Sequence, residues 1–153
     1  MSFTSKHSQQ GFGLVESLVA LVVVSVGMIG IAVLYGQGLS ASRTAMFRTQ
    51  AVNLASDMAD RIRLNRRAGA AYQNGGAGTN RNCDPGGVTC TPTQMAEHDL
   101  FVWNTQIDRQ LPGADGVIVF TDAAQPTYSI RITWQEVGFG AITHQLDIRV
   151  PDL

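Results

Sequence analysis

A long apolar run near the N-terminus dominates the pattern of hydrophobic and polar positions. Residues 14–35 are almost wholly apolar, and no Asp, Glu, Lys or Arg occurs from Ser17 to Ser42. At about 1.5 Å per residue, a helix of this length crosses a hydrocarbon core of about 30 Å. The pattern therefore predicts a membrane-spanning helix over residues 14–35.

The pattern changes after Ser42 without an obvious break in the helix. Apolar residues then recur at three- and four-residue spacing, which is typical of an amphipathic helix. Gly69 is the predicted end of this second half. The stripe consists of Phe47, Ala51, Leu54, Met58 and Ile62.

The C-terminal half of the chain predicts a short helix followed by a small sheet. A second apolar stripe supports a helix over residues 92–111 that ends before Pro112-Gly113. Three strand candidates follow at 117–121, 128–135 and 145–150, within an antiparallel sheet over 116–150. The fold class is therefore α+β. The stripe is Ala96, Leu100, Trp103, Ile107 and Leu111, and the second strand alternates Tyr128, Ile130, Ile132 and Trp134 with polar residues.

The net charge and the two cysteines indicate a function class and a cellular location. The formal net charge of -1 gives no broad basic field, so non-specific nucleic-acid binding is not indicated. Cys83 and Cys90 lie in a loop rich in Gly, Asn and Pro over residues 69–91, and no four-ligand zinc set surrounds them. A structural disulfide is the simpler interpretation, and it favours a location outside the cytosol.

One acidic residue complicates the membrane interpretation. Glu16 lies just inside the apolar run. A carboxylate at the centre of a membrane costs about 2.5–3.5 kcal/mol, and an ordinary membrane-spanning helix would avoid one. A secretory signal peptide is an alternative, because the leader contains Lys6 and His7 and small residues follow the run. However, signal peptides have apolar regions of about 7–15 residues, which is shorter than this one.

Residues 11–21 (GFGLVESLVAL) closely resemble the class III signal of type IV prepilins and pseudopilins. The resemblance implies that a membrane peptidase cuts between Gly11 and Phe12 and methylates the new amine of Phe12. Glu16 would then be the fifth mature residue. Gly13 stands where the family often has threonine, and the helix lacks the proline that many major pilins carry.

The resemblance also implies a domain organisation. Residues 1–11 would be a cleaved leader, 12–40 the membrane and filament-core half of the long helix, and 41–153 a periplasmic globular domain with the type IV pilin fold. The protein would remain in the inner membrane until it enters a pilus. Its partners would be other minor pilins, the major pilin, the prepilin peptidase and the inner-membrane assembly platform, without a cofactor or metal.

Glu16 has two interpretations within this scheme. In the filament core, its carboxylate would pair with the Phe12 ammonium of an adjoining subunit, which makes a buried charge tolerable. The alternative is a side chain that snorkels to the membrane surface. Normal assembly of a Glu16→Ala variant would favour this alternative.

Within the pilin class, the sequence resembles the minor pilins of the type IV pilus modification protein PilV family. The implied role is a priming or tip complex that supports pilus biogenesis, twitching motility and adhesion. A type II secretion minor pseudopilin is the nearest alternative, because its leader and helix follow the same rules. The residues that carry the resemblance are 55–65, Cys83 with Cys90, Asp99 with Trp103, 111–113 and 132–134.

The sequence bears on two further function classes. The sequence contains no H-E-x-x-H, G-x-S-x-G or phosphate-loop motif, so it predicts no enzyme; His98 is interpreted as a solvated helix residue and His144 as a strand-start residue. A DNA-uptake pilin is the other class, with a nucleic-acid contact at the end of the long helix. Helix-dipole stabilisation by cations is the simpler interpretation of that cluster. The cluster consists of Arg61, Arg63, Arg66 and Arg67.

Overall fold

The computed structural model describes residues 13–73, 78–83, 88–121 and 125–151. Its first element, α1, is a 51-residue α-helix over Leu14–Leu64, followed by a short 3-10 helix over Arg66–Tyr72. The α-helix thus ends five residues before Gly69, the predicted stop. Gly69 instead forms a kink within the Arg66–Tyr72 segment, where its φ of 51° and ψ of -127° are non-helical and are open to glycine without a steric penalty.

The chain divides into two compact units, Met1–Ser42 and Arg43–Leu153. In the first unit, the described residues form the apolar part of α1, and every one of them is exposed. This helix is long and apolar enough to cross a membrane. The second unit contains the remaining elements and the hydrophobic core, and we call it the globular unit.

Helix α2 covers Pro92–Gln110 and begins with a complete capping box. The Thr91 hydroxyl accepts a hydrogen bond from the Gln94 amide, and the Gln94 side chain accepts one from the Thr91 amide. Pro92 follows as the first helical residue, where its missing N–H is not needed. The predicted helix over 92–111 is confirmed to within one residue.

Three antiparallel strands form a sheet with the order β1-β2-β3. β1 covers Asp115–Thr121, β2 covers Thr127–Glu136 and β3 covers Gly140–Arg149. The third strand begins five residues earlier than predicted, because residues 140–144 pair in register with the end of β2. His144 therefore lies in the middle of β3, and the prediction that it starts the strand is wrong.

The core lies where the apolar stripes of α1 and α2 and the apolar face of the sheet meet. Both predicted stripes and the alternation of β2 are confirmed, although Phe47 is only partly buried. The Trp103 indole donates a hydrogen bond to the Leu54 carbonyl at 2.9 Å, which ties α2 to α1. Gly116 on β1 lies against the Trp103 ring, where a Cβ would come within 2.6 Å. The long helix on a small antiparallel sheet confirms the predicted α+β fold class.

Candidate functional site

Glu16 lies in the first turn of α1. The Glu16 amide donates to the Gly13 carbonyl at 3.0 Å, and the Ser17 hydroxyl donates to the Leu14 carbonyl at 2.9 Å. A negative charge here interacts favourably with the unpaired amides at the helix N-terminus. Within the described part of the chain, no cation forms an ion pair with the Glu16 carboxylate.

The side chains around Glu16 are large, apolar and exposed. Leu14, Val15, Leu18 and Val19 all belong to this group, and the same exposure continues to Leu39. An exposed apolar surface of this length requires a non-aqueous environment, such as lipid or the apolar helices of other subunits. The segment therefore presents one carboxylate on a surface that must be covered from outside the chain.

Gly11 and Phe12, the predicted cleavage and methylation positions, lie outside the described residues. Their roles remain predictions from the sequence motif. Gly13 begins the described chain, and α1 starts at the next residue.

A polar network joins the second half of α1 to the 3-10 helix and α2. Asp99, which is buried on α2, accepts hydrogen bonds from the Arg61 guanidinium at 3.0 Å and the Tyr72 hydroxyl at 2.7 Å. The Arg61 guanidinium also donates to Asp57 at 2.8 Å. The Asn65 amide donates to the Tyr72 hydroxyl and to the Pro92 carbonyl. One carboxylate thus connects three elements.

This environment changes two proton affinities. Burial raises the pKa of the Tyr72 phenol well above its ordinary value, and the hydrogen bond to Asp99 raises it further. Burial lowers the pKa of Arg61, but its hydrogen bonds to Asp57 and Asp99 outweigh this effect and raise it. Arg61 therefore remains a cation and Tyr72 a neutral donor in the folded protein.

The sequence identified Asp99 but gave no role to Tyr72 or Asn65 in this network. Tyr72 belongs to the predicted loop over residues 69–91, but the structure buries it fully. A single large aromatic residue in a stretch of Gly, Ala and Asn was the available signal, because such residues usually bury their ring area.

Cys83 and Cys90 form the predicted disulfide, with their Cα atoms 5.8 Å apart. The nearby Gly78 has a φ of 63° and approaches the backbone of α2 so closely that a Cβ would overlap Glu97 and Phe101. The Thr79 amide donates to the Glu97 carbonyl at 3.0 Å. These contacts fix the described part of the loop against α2.

The four arginines of the predicted nucleic-acid cluster fall into two classes. Arg61 is engaged with Asp57 and Asp99, and Arg63 forms an ion pair with Asp60 at 2.7 Å. Arg66 and Arg67 are exposed and form no ion pair with any residue that the structure describes. Arg149 on β3 joins Arg63 and Arg66 at a shallow pocket, which the sequence did not predict.

His98 and His144 lie on different elements, α2 and β3. His98 is buried on α2, so its interpretation as a solvated helix residue is wrong. His144 lies opposite Ile132 in the sheet. Among the described residues, no group of three or more His, Cys, Asp or Glu side chains is placed to hold a metal ion.

Two family models match this chain. Residues 6–32 match the prokaryotic N-terminal methylation motif, and residues 34–101 match the model described as type IV pilin Tt1218. The first match contains Gly11, Phe12 and Glu16, and the second contains the amphipathic half of α1, both cysteines and Asp99. No curated protein and no solved structure shows a significant match.

Proposed function

Because the chain is a type IV pilin with a prepilin methylation motif, and hence a component of a pilus or pseudopilus, we propose that it is a minor pilin of a type IV pilus. Pilins are structural subunits and not enzymes, so its function is assembly. Prepilin processing and assembly with other pilins follow from the motif. The proposed role is a priming or tip complex that starts filament growth and thereby supports twitching motility and adhesion.

The observation that carries the assembly role is a carboxylate on an exposed apolar helix that has no ion-pair partner among the residues the structure describes. A buried charge is stable only when a counter-ion and hydrogen bonds replace its water. We propose that the amine of Phe12 in a neighbouring subunit provides this counter-ion after cleavage at Gly11. The membrane holds the precursor, with the globular unit on the periplasmic side.

The resemblance to the PilV family of minor pilins supports the finer assignment. Its residues occupy structural positions: Asp99 joins the polar network, and Trp103 hydrogen-bonds to α1. Cys83 and Cys90 fasten the loop before α2. These structural positions support the assignment of the globular unit to the PilV family.

Mass spectrometry of sheared surface filaments tests this proposal. We expect a mature chain that begins at methylated Phe12 and is present at a small fraction of the major pilin. Deletion of the gene should reduce surface pili and twitching by at least about tenfold. Normal pili together with a loss of protein secretion would instead identify a type II secretion pseudopilin.

A Glu16→Ala variant tests the role of the carboxylate separately. We expect normal membrane insertion and leader cleavage but loss of the protein from sheared filaments, because the Phe12 amine loses its partner. Ser17→Ala is the matched control, since it changes the next residue without removing a charge. Normal incorporation of Glu16→Ala would favour a snorkelling side chain.

DNA uptake is a second candidate, supported by the pocket where Arg149 joins Arg63 and Arg66. Binding to phosphates should weaken steeply as salt increases. We expect Arg66→Ala with Arg149→Ala to abolish salt-sensitive DNA binding if this candidate is correct. Arg61→Ala is not a suitable test, because Arg61 holds the internal network.

A further inference from the structure

The turn between β2 and β3 presents two large apolar side chains to solvent. We call Val137, Gly138 and Phe139 the hairpin tip. The Val137 side chain is 99% exposed and that of Phe139 is 68% exposed. No charged residue occurs from 137 to 143. Single exposed apolar residues are common on protein surfaces, but two at the end of one turn form a small apolar protrusion.

The backbone holds this protrusion in a defined conformation. The Phe139 amide donates to the Glu136 carbonyl at 3.1 Å, and Glu136 pairs with Gly140 across the strands. Gly138 and Gly140 have φ values of 88° and 77°. Residues with a Cβ atom rarely adopt such positive values. The apolar side chains are therefore carried by an ordered turn.

Glu136, at the base of the hairpin tip, lies next to α1. Its side chain is buried and accepts a hydrogen bond from the Trp134 indole at 3.0 Å. The Arg48 guanidinium on α1 lies 3.9 Å from the same carboxylate oxygen, and the Arg48 side chain remains 58% exposed. The tip thus has a cation beside it that is still accessible to an external anion.

Chain connectivity limits how far the hairpin tip can lie from the membrane. Arg48 follows Leu39, the last large apolar residue of the exposed segment, by nine residues. Nine residues span at most roughly 32 Å even when fully extended. In the membrane-anchored chain, Arg48 is therefore at most about 32 Å from the end of the exposed apolar segment, and Glu136, which precedes the hairpin tip, lies beside Arg48.

We propose that the hairpin tip inserts Val137 and Phe139 into the lipid interface while Arg48 faces anionic headgroups. Two side chains are far too few for a stable protein interface, which buries about 800 Å² on each partner. A lipid surface accepts small apolar protrusions, and a nearby cation strengthens binding to anionic lipid. The contact would orient the globular unit on the membrane before assembly.

The test uses the full chain reconstituted into vesicles that contain anionic and brominated lipids. A Phe139→Trp variant places an indole at the tip, and bromine quenches indoles that enter the acyl region. Val88→Trp is the matched control, because Val88 is also an exposed apolar residue but lies in the loop before α2. The buried Trp103 and Trp134 contribute the same background to every variant.

We expect quenching of Phe139→Trp, after subtraction of the wild-type signal, to exceed that of Val88→Trp at least twofold. In a Phe139→Trp, Arg48→Gln double variant, this excess in quenching should be smaller on anionic vesicles and unchanged on neutral ones. Near-UV circular dichroism verifies that each variant is folded. Equal quenching at the two positions would overturn the proposal.

A photo-crosslinking residue at position 139 in cells provides an independent test. Adducts with lipid would support the proposal, whereas adducts with another pilin in the membrane fraction would overturn it. The inference depends on membrane anchoring but not on the proposed minor-pilin role. Equal quenching would therefore overturn the lipid contact of the hairpin tip alone. Normal piliation after gene deletion would overturn the minor-pilin role alone.

Discussion

The two halves of α1 use similar apolar residues for opposite purposes. In the first half, Leu14 through Leu39 expose their apolar side chains and have no cover within the described chain. In the second half, the stripe from Ala51 to Ile62 is buried against α2 and the sheet. Apolar area in the second half stabilises the fold, whereas in the first half it is available only to lipid or to other subunits.

Charged residues follow the same division. Glu16 in the first half has no ion-pair partner among the described residues, whereas Asp99 in the globular unit is paired with Arg61 and Tyr72. A carboxylate with internal partners supports the fold, and one without them needs a partner in another molecule. The environment, more than the residue type, therefore separates assembly residues from folding residues.

Two methionines on α1 test this division with the largest expected effect. Met58 is fully buried, and Met28 is 66% exposed. We expect Met58→Ala to lower the free energy of unfolding of the globular unit by about 2–5 kcal/mol, because it leaves a cavity. Met28→Ala should change it by less than about 0.5 kcal/mol. Denaturant unfolding of the full chain in detergent micelles, followed by tryptophan fluorescence, provides the measurement.

Equal destabilisation by the two methionine variants would contradict the division of α1. The fluorescence readout is suited to this test because both tryptophans of the chain, Trp103 and Trp134, lie in the core. An unchanged m-value would show that each variant unfolds the same amount of surface.

Two aspartates sharpen the comparison of charges. We expect Asp99→Ala to cost about 3 kcal/mol, because it leaves the Tyr72 hydroxyl without its acceptor and removes one partner of Arg61. Asp60→Ala is the matched control, since the exposed Asp60–Arg63 pair is worth less than about 1 kcal/mol. Thermal unfolding of both variants at pH 7 measures the difference. A similar loss in both variants would show that Asp99 has no special role.

Removal of the disulfide is expected to have the next largest effect on the free energy of unfolding. Replacement of both Cys83 and Cys90 by serine opens a loop of about eight residues and should cost about 2.5 kcal/mol by chain-entropy arithmetic. Chemical reduction of the wild-type protein should give the same loss, measured by denaturant unfolding with and without a reductant. A reductant effect that persists in the double serine variant would exclude the disulfide as its cause.

The sequence predicted elements wherever one periodic pattern extended over many residues. The two stripes and the alternation of β2 are of this kind, and the structure confirms them. The prepilin motif is likewise local, and it matches a family model. A local pattern is sufficient here because one face of a regular element determines its burial.

Contacts between distant residues could not be predicted in the same way. Asp99 meets Arg61 and Tyr72 from separations of 38 and 27 residues, and Arg149 joins Arg63 only through the folded sheet. His98 is buried although it lies on the side of α2 opposite the apolar stripe, so the stripe alone could not indicate its burial. Tertiary packing decides these cases, and no local spacing encodes it.

The phenol of Tyr72 gives the smallest predicted effect, a pH dependence that belongs to the globular unit alone. An unfolded tyrosine has a pKa of about 10, and burial together with Asp99 raises the pKa of Tyr72 above this value in the folded protein. Above pH 10 the unfolded chain releases a proton that the folded chain retains. Stability should therefore fall by up to about 1.4 kcal/mol per pH unit until the folded pKa is reached.

Tyr72→Phe isolates this dependence from that of other groups. The variant should lose about 1 kcal/mol at pH 7, because the hydrogen bonds with Asp99 and Asn65 disappear. Its stability should then fall less steeply than that of the wild type between pH 10 and 11, so the difference between the two proteins narrows. Parallel curves in denaturant unfolding over this range would show that the phenol has the same pKa in both states, and the network would then not hold the neutral form.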